Sequence, residues 1–183
     1  MSSIIKVDQI QLADGSTPTA GDLGLNTTGS VLQVVQSQLA EPVSVTLNTA
    51  FTEITGLTQS ITLSSVSSKV LINFAVHVGD QDGTELSYPK IRMLRAGSII
   101  GVGSNDDRQQ VTAMWNPGNA ARNTTGVLTM SWLDSPSTSG SVEYKLEIFG
   151  SQNRTFIINR AGSNENTAGG QAVSTMTLME IAG

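Results

Sequence analysis

The sequence predicts an all-β protein: an antiparallel β-sandwich or jelly roll head preceded by an extended N-terminal segment. The first observation is the stretch 69–78, which holds the longest strict alternation in the chain. One side carries Val70, Ile72, Phe74, Val76 and Val78, and the other carries Lys69, Leu71, Asn73, Ala75 and His77. A period of two over so many residues is typical of a strand with one face in a core.

Two further observations favour the same fold class. The alternation returns at Val142, Tyr144, Leu146 and Ile148, whose intervening residues are mostly charged. Roughly ten short apolar runs follow one another with turn residues about every 8–12 positions, and none has a helical period. Together these patterns predict a sandwich or jelly roll.

Residues 1–30 are predicted to form the extended segment. The stretch 4–12 mixes apolar and polar residues, and turn formers then occupy nearly every second position. A segment of this composition cannot close a core by itself. Two interpretations stay open: the segment leaves its own domain and docks on something else, or it is a disordered terminus.

Residues 31–183 are predicted to form the head. Its strand signals are 31–36, 43–47, 51–57, 60–63, 69–78, 90–95, 98–103, 126–133, 141–149, 154–160 and 172–181. Turn formers such as Pro42, Gly56 and the pair Ala96-Gly97 separate these runs. Residues 104–123 are polar and are predicted to leave the sheet as a long excursion. The apolar final run indicates that the chain ends in its own core or at a subunit contact.

Composition argues against several function classes. The net charge is -5 and the pI is about 4.7, so we expect no nucleic-acid binding, which needs clustered Lys and Arg. Cysteine is absent, which excludes disulfides and thiolate metal sites. No apolar run reaches the roughly 18 residues that span a bilayer, and the N-terminus has no apolar signal-peptide core. We therefore expect no membrane insertion.

No catalytic constellation is visible in the sequence. His77 is the only histidine, no cysteine nucleophile exists, and the chain has no G-x-S-x-G motif. His77 lies on the less apolar side of its predicted strand, where we interpret it as a surface or contact residue. We expect no enzyme and no cofactor.

Three carboxylates, Asp80, Asp82 and Glu85, occur in one predicted turn. This spacing could offer oxygen ligands to a calcium ion. The D-x-D-G core lacks the remaining ligand positions of an EF-hand, and D-G is also a hairpin signal. No metal site is assigned on this pattern.

The two tryptophans have different predicted roles. Trp115 lies in the polar excursion near Asn116 and Arg122, where its ring could stack on a sugar while the polar groups bind hydroxyls. The alternative is that Trp115 anchors the loop as its one large apolar residue. Trp132 shares a strand face with Leu128 and is predicted to lie in the core.

Several blocks of sequence carry a resemblance to a known family. They are FTEITGLTQSITLSSVSSKVLI (51–72), RMLRAGSIIGVG, SWLDSP, INRAGSNENT and STMTLMEI. With these blocks the chain resembles tail-fibre and related virion appendage proteins of marine and cyanobacterial bacteriophages. The opening IKVDQIQLADGS resembles the N-terminal attachment segment that heads many such fibres.

The resemblance implies a homotrimer of jelly-roll heads around a threefold axis, with the N-terminal segments anchored to other virion proteins. The anchoring residues would be Ile4, Ile5, Val7, Ile10 and Leu12. Some strands have two apolar faces, and the second face would need a partner. The residues concerned are Val127, Leu128, Met130, Trp132 and Leu133 in one strand and Phe156, Ile157 and Ile158 in another.

The leading hypothesis is a structural virion protein, a short trimeric tail or baseplate fibre assembled into the particle in the host cytoplasm. Its head would contact the host surface, with a surface glycan as the candidate receptor. Candidate contact residues are Asp80, Asp82, Glu85, Trp115, Asn116 and Arg122. One alternative is a capsid decoration or head fibre without a receptor role. Another is a glycan depolymerase, which the single His and the lack of a β-helix repeat disfavour.

Overall fold

The computed structural model describes residues 8–25, 27–47, 49–81, 88–104, 107–116, 124–150, 153–162 and 170–183. All regular structure in these ranges is β. The strands are β1 (Val31–Leu39), β2 (Val43–Leu47), β3 (Thr52–Thr62), β4 (Lys69–Asp80), β5 (Lys90–Arg95), β6 (Ser98–Ile100), β7 (Ala113–Met114), β8 (Thr125–Asp134), β9 (Ser141–Phe149), β10 (Arg154–Ile158) and β11 (Ser174–Ile181).

The strands form two antiparallel sheets. In sheet A the order is β1-β11-β4-β8, and β10 and β2 continue the sheet from the last residues of β4. In sheet B the order is β3-β9-β5-β6, with β7 beside β5. From β2 to β10 the chain crosses from one sheet to the other at every connection except those that join β5, β6 and β7 within sheet B, and such repeated crossing is typical of β-sandwiches of the jelly-roll kind. The predicted all-β antiparallel sandwich is confirmed.

The core lies between the sheets and is built from the alternating strands. The apolar side of β4, from Val70 to Val78, is at most 4% exposed, and Val142, Tyr144, Leu146 and Ile148 of β9 are at most 5% exposed. All of these side chains belong to one hydrophobic cluster. The predicted core faces of β4 and β9 are therefore confirmed.

One predicted strand break is wrong. Residues 51–57 and 60–63 were expected to be separate strands, but β3 runs unbroken through both. Gly56 has a φ of 94°, and the register of β3 against β9 shifts between Glu53 and Thr58. The glycine therefore forms an irregularity of the bulge kind within the strand instead of a turn that ends it.

The second apolar face expected at β10 does not need a partner chain. Phe156, Ile157 and Ile158 are at most 1% exposed within this chain. Ile157 lies opposite Gly79 of β4, and a Cβ atom at Gly79 would collide with the backbone of Arg160 and Ala161. The chain that follows β10 thus covers this part of sheet A itself.

The core prediction for Trp132 is also wrong. Trp132 pairs with Ile72 and so shares the inner side of sheet A, yet it is 37% exposed, whereas Leu128 on the same side is 2% exposed. The reason is its place in β8, which lies at the edge of the sheet. There the ring packs near the backbone of Gly101 and is only partly covered.

Candidate functional site

The outer face of sheet B is charged and its charges are paired. Arg92 contacts Glu147 at 2.7 Å, and Lys145 contacts Glu53 at 3.2 Å. The hydrogen bond from Lys145 is the main cause that lowers the pKa of Glu53, and the same bond raises the pKa of Lys145. The guanidinium of Arg92 also lies 3.9 Å from the ring centre of Phe51. Ion pairs of this kind are typical of a solvated face.

The outer face of sheet A has a different character. Residues that pair across neighbouring antiparallel strands project to the same side, so the registers of β1, β11, β4 and β8 define rows across this face. From β1 to β8 the rows are Val34, Met179, Leu71 and Leu133; Gln36, Thr177, Asn73 and Ser131; and Gln38, Thr175, Ala75 and Thr129. The first row is apolar, and the other two are nearly all uncharged polar side chains.

Much of this apolar surface is uncovered. The exposed apolar side chains on the outer face of sheet A are Val31, Val34, Val127 and Leu133, between 49% and 55% exposed. Lys69 and His77 are the only titratable residues that β1, β4, β8 and β11 place there. The half-buried His77 lies opposite Val127. The predicted second apolar face is thus present at β8, although it is absent at β10.

This face continues to an open strand edge. Within the described part of the chain, β8 pairs with β4 and with no other strand. The strand has no charged residue before Asp134 at its end. Proteins commonly block long edge strands with charges, prolines or bulges, because an open edge is prone to pairing with another chain. β8 has none of these features.

The predicted receptor residue Asp80 is not in a polar loop. It is the last residue of β4 and is 6% exposed, and its carboxylate lies 3.9 Å from the guanidinium of Arg154. The sequence prediction missed this because the acidic run 80–85 has the composition of a single turn, whereas β4 extends to Asp80. Asp82 and Glu85 lie outside the described residues.

Trp115 packs against the head. Its ring occupies the space where a side chain at Gly126 would lie, it contacts the core cluster, and its backbone N–H donates to the carbonyl of Pro89 at 3.0 Å. This geometry agrees with the anchoring alternative. Asn116 is exposed, and Arg122 lies outside the described residues.

The structure does bring Trp115 and Asp80 to the same end of the sheet. Gly126, on which the ring of Trp115 packs, pairs with Val78, two residues before Asp80 in β4. The exposed Asn116 follows Trp115 directly. The receptor-binding role of these residues stays a prediction.

The described part of the N-terminal segment contains two turns that are stabilised by their own residues. In the second turn Thr19 and Asp22 exchange hydrogen bonds, from Thr19 N to Asp22 Oδ2 at 2.9 Å and from Asp22 N to Thr19 Oγ1 at 3.3 Å. Gly24, with a φ of 69°, ends the turn, and Leu25 N donates to the carbonyl of Ala20 at 2.8 Å. This is a capping box followed by a Schellman-type end.

The first turn is closed by Asp14. Its carboxylate accepts hydrogen bonds from Ser16 N at 2.9 Å and from Ser16 Oγ at 2.7 Å, and these bonds lower the pKa of Asp14. Sequence reasoning read this region only as turn-prone. The spacing of Thr19, Asp22 and Gly24 is the signal that would have located the second turn.

Apolar side chains in these turns point to solvent. Ile10 is 51% exposed and Leu12 is 38% exposed, while Leu23 and Leu25 are 46% and 66% exposed. The other predicted anchoring residues, Ile4, Ile5 and Val7, lie outside the described residues. The segment joins the head beside the end of β11, where Gly29 N donates to the carbonyl of Ala182 at 2.7 Å and Ala182 N donates to that of Ser30 at 2.8 Å.

The described ranges contain neither a metal-ligating cluster nor a membrane-spanning helix. No group of three or more Asp, Glu, His or Cys side chains there is arranged to hold a metal ion. Nor do those ranges contain a helix with the length and hydropathy needed to cross a membrane.

Comparison with known proteins yields only distant structural likeness. No protein-family model and no curated protein matches the chain. A structure of the Gt strain of infectious bursal disease virus shares 12% identity at a TM-score of 0.38, covering 100% of this chain and 43% of that one. A VP2 subviral particle of the same virus shares 11% identity at a TM-score of 0.36, covering 99% and 46%. The chain spans less than half the length of these proteins, and likeness at this level does not extend to function.

Proposed function

We propose that this protein is a structural virion component of a tailed bacteriophage, a short homotrimeric fibre of the tail or baseplate. Residues 1–30 attach the protein to the particle, and the jelly-roll head faces outward to contact the host surface. The observation that carries the proposal is the pair of self-stabilised turns before β1, which hold apolar side chains in solvent. The sequence resemblance supplies the class of particle.

The attachment role follows from the exposure of these apolar side chains. Ile10, Leu12, Leu23 and Leu25 are all at least 38% exposed, and four large apolar side chains left in solvent over sixteen residues would be covered if the segment docked on another protein. Because hydrogen bonds of Asp14, Thr19 and Asp22 already shape the turns, docking would order fewer residues. Preorganisation of this kind increases affinity without adding contacts.

The outward role is assigned to the head. Its sheet B exposes paired charges, which suit a solvated surface, and the loop with Trp115 and Asn116 lies at one end of sheet A. Binding residues tend to occur on loops that a rigid scaffold positions. A host surface glycan remains the receptor class that we propose.

The attachment assignment is tested by combining Ile10→Ser with Leu12→Ser and measuring the protein in gradient-purified particles by immunoblot. We expect incorporation to fall at least tenfold, because the apolar contact is lost, while thermal unfolding of the purified head is unchanged. The matched control combines Ile99→Ser with Met114→Ser, which are 43% and 58% exposed in sheet B. We expect the control to incorporate normally.

Normal incorporation of the Ile10 and Leu12 variant would contradict the attachment assignment. Measuring how particles that lack the protein adsorb to host cells also distinguishes a fibre from a capsid decoration. Reduced adsorption to host cells supports the fibre, and unchanged adsorption of otherwise intact particles favours a capsid decoration.

A further inference from the structure

We infer that the outer face of sheet A, together with the edge strand β8, is the surface through which copies of this chain pack against one another. The inference rests on the proposed homotrimer and names its contact surface. The occupant of the face is a second copy of the chain. Three observations carry the assignment: an apolar row that no described segment covers, two polar rows without charged side chains, and an edge of β8 that pairs with no described strand.

The apolar row is too continuous for an ordinary solvated sheet face. Val34, Met179, Leu71 and Leu133 lie side by side across four strands, and Val34 and Leu133 at the two ends are 55% and 49% exposed. Single exposed apolar residues are normal on a protein surface, but a contiguous set indicates an interface. The outer face of sheet B also exposes Ile99 and Met114, but it carries the ion pairs Arg92–Glu147 and Lys145–Glu53, so the two faces differ in charge.

The polar rows favour a copy of the same chain as the occupant. Gln36, Asn73 and Gln38 carry amides, and their neighbours Thr177, Ser131 and Thr129 carry hydroxyls, so each group both donates and accepts hydrogen bonds. A face of this chemistry is complementary to itself, whereas a face of one charge is not. Because each chain has a net charge of -5, copies repel least where they meet through a face nearly free of charge.

The edge strand favours a cyclic contact over a face-to-face dimer. Val127 and Leu133 lie on the outer side of β8, and Trp132 lies on the inner side, 37% exposed. A twofold contact between outer faces would leave Trp132 uncovered. An edge that packs onto the face of the next copy would cover both sides of β8, and such head-to-tail contacts form a ring when the rotation between copies closes.

The test is the mass of the purified full chain by light scattering after size exclusion. The expected mass is three times the 19.2 kDa of one chain. Leu133→Glu places three like charges in the interface and is expected to give the monomer mass. Ser131→Glu is the second variant: its side chain is exposed, so it changes the charge of the face with little risk to folding.

The matched controls are Ile99→Glu and Ser98→Glu, which make the same changes at exposed positions of sheet B. Both are expected to keep the trimer mass. Circular dichroism and thermal unfolding verify that all four variants are folded.

A monomeric wild type at millimolar concentration, or a trimer that survives both Leu133→Glu and Ser131→Glu, overturns the assignment. A wild-type dimer that both variants dissociate would overturn the cyclic contact but would support the outer face of sheet A as the contact surface. The measurement needs no particles, so its failure is distinct from failure of the virion assignment. Absence of the trimeric wild-type chain from purified particles would contradict only the virion assignment.

Discussion

At the scale of single residues, Asn159 joins three parts of the jelly roll. It is fully buried and has a φ of 73°. Its Nδ2 donates to the carbonyls of Leu39 at 2.6 Å and Glu41 at 3.0 Å, and its Oδ1 accepts from Ser174 Oγ at 2.5 Å. Its own N–H donates to the carbonyl of His77 at 2.9 Å. Few residues tolerate a left-handed backbone and also supply an amide donor there.

Replacement of Asn159 by Asp tests this role. Asn159→Asp keeps the shape and the backbone preference but places a carboxylate against two carbonyl oxygens that have lost their donor. We expect the free energy of unfolding to fall by about 3 kcal/mol, because buried groups are left unsatisfied. Urea unfolding at fixed protein concentration measures the change. The control Asn153→Asp, at an exposed position, should change stability by less than about 0.5 kcal/mol, and equal losses would contradict the prediction.

At the scale of elements, the turn between β5 and β6 sets the register of an edge hairpin. Arg95 pairs with Ser98, so the loop consists of Ala96 and Gly97, with φ values of 45° and 81°. Two positive φ angles define a type I′ turn, whose twist matches that of the strands. Ala96 N also donates to the carbonyl of Glu143 at 2.9 Å, which ties the turn to β9. Alanine, however, is a poor residue for a positive φ.

Ala96→Asn is therefore expected to stabilise the protein by about 0.5–1 kcal/mol, because asparagine tolerates this conformation at lower cost. Because the side chain at position 96 is exposed, the substitution leaves the core unchanged. It also keeps the hydrogen bond from the backbone N–H of residue 96 to the carbonyl of Glu143. Thermal unfolding provides the measurement, with Ala96→Val as the comparison. The branched valine should destabilise the turn, and a valine variant as stable as the asparagine variant would show that turn conformation does not limit stability.

At the scale of the whole molecule, two buried carboxylates tie the sheets together at one end of the sandwich. Glu180 of sheet A accepts from Gln33 Nε2 at 2.5 Å and from Ser64 N, which follows β3 of sheet B, at 2.8 Å. On the other side of β4, Asp134 accepts two bonds from Arg95 Nη1, at 2.9 and 3.0 Å. It also accepts from the hydroxyl of Tyr144 at 2.7 Å. Burial and this bond to Asp134 raise the pKa of Tyr144.

The Glu180 cluster predicts a specific loss of stability in acid. Burial alone raises the pKa of Glu180, but the hydrogen bonds from Gln33 and Ser64 outweigh it and bring the pKa to about 2, from an ordinary 4.5. Because the folded pKa is lower than the unfolded one, the stabilisation is complete above pH 4.5 and is lost as the pH falls towards 2. We expect this loss to be on the order of 1–2 kcal/mol.

Urea unfolding between pH 7 and pH 2 checks this prediction with the variant Glu180→Gln. The variant should be less stable at pH 7 and should lose less stability than wild type between pH 4.5 and 2. The exposed Glu143→Gln serves as the control and should follow the wild-type pH dependence. An unchanged acid profile in Glu180→Gln would assign the acid sensitivity to other carboxylates.

Comparison of particular residues shows how far prediction from the sequence extends. The core faces of β4 and β9 were predicted correctly because their period of two is visible in a short window. Trp132 and Ile157 were assigned wrongly although both are apolar residues in strands. Trp132 is exposed because β8 is an edge strand, and Ile157 is covered because Arg160 and Ala161 cross Gly79. Neither fact is a property of the strand's own sequence.

The candidate surfaces were likewise predicted only in part from the sequence. Sequence reasoning named Ile10 and Leu12 of the N-terminal segment, which are exposed, but not Leu23 and Leu25, and it located the second apolar side of β8. It did not place Val34, Met179, Leu71 and Leu133 in one row, because these residues come from four strands that are distant in the chain. It also placed Asp80 in a loop, because burial beside Arg154 depends on the pairing of β4 with β10.

By itself, the sequence determined that the protein is an all-β sandwich and which side chains of β4 and β9 share a face. Backbone geometry makes that alternation a local property, so a short window of residues is enough. Only the tertiary structure decided which faces are covered and which strand lies at an edge. Those features depend on long-range pairing and on segments that cross the sheets, and they create the uncovered, uncharged face of sheet A.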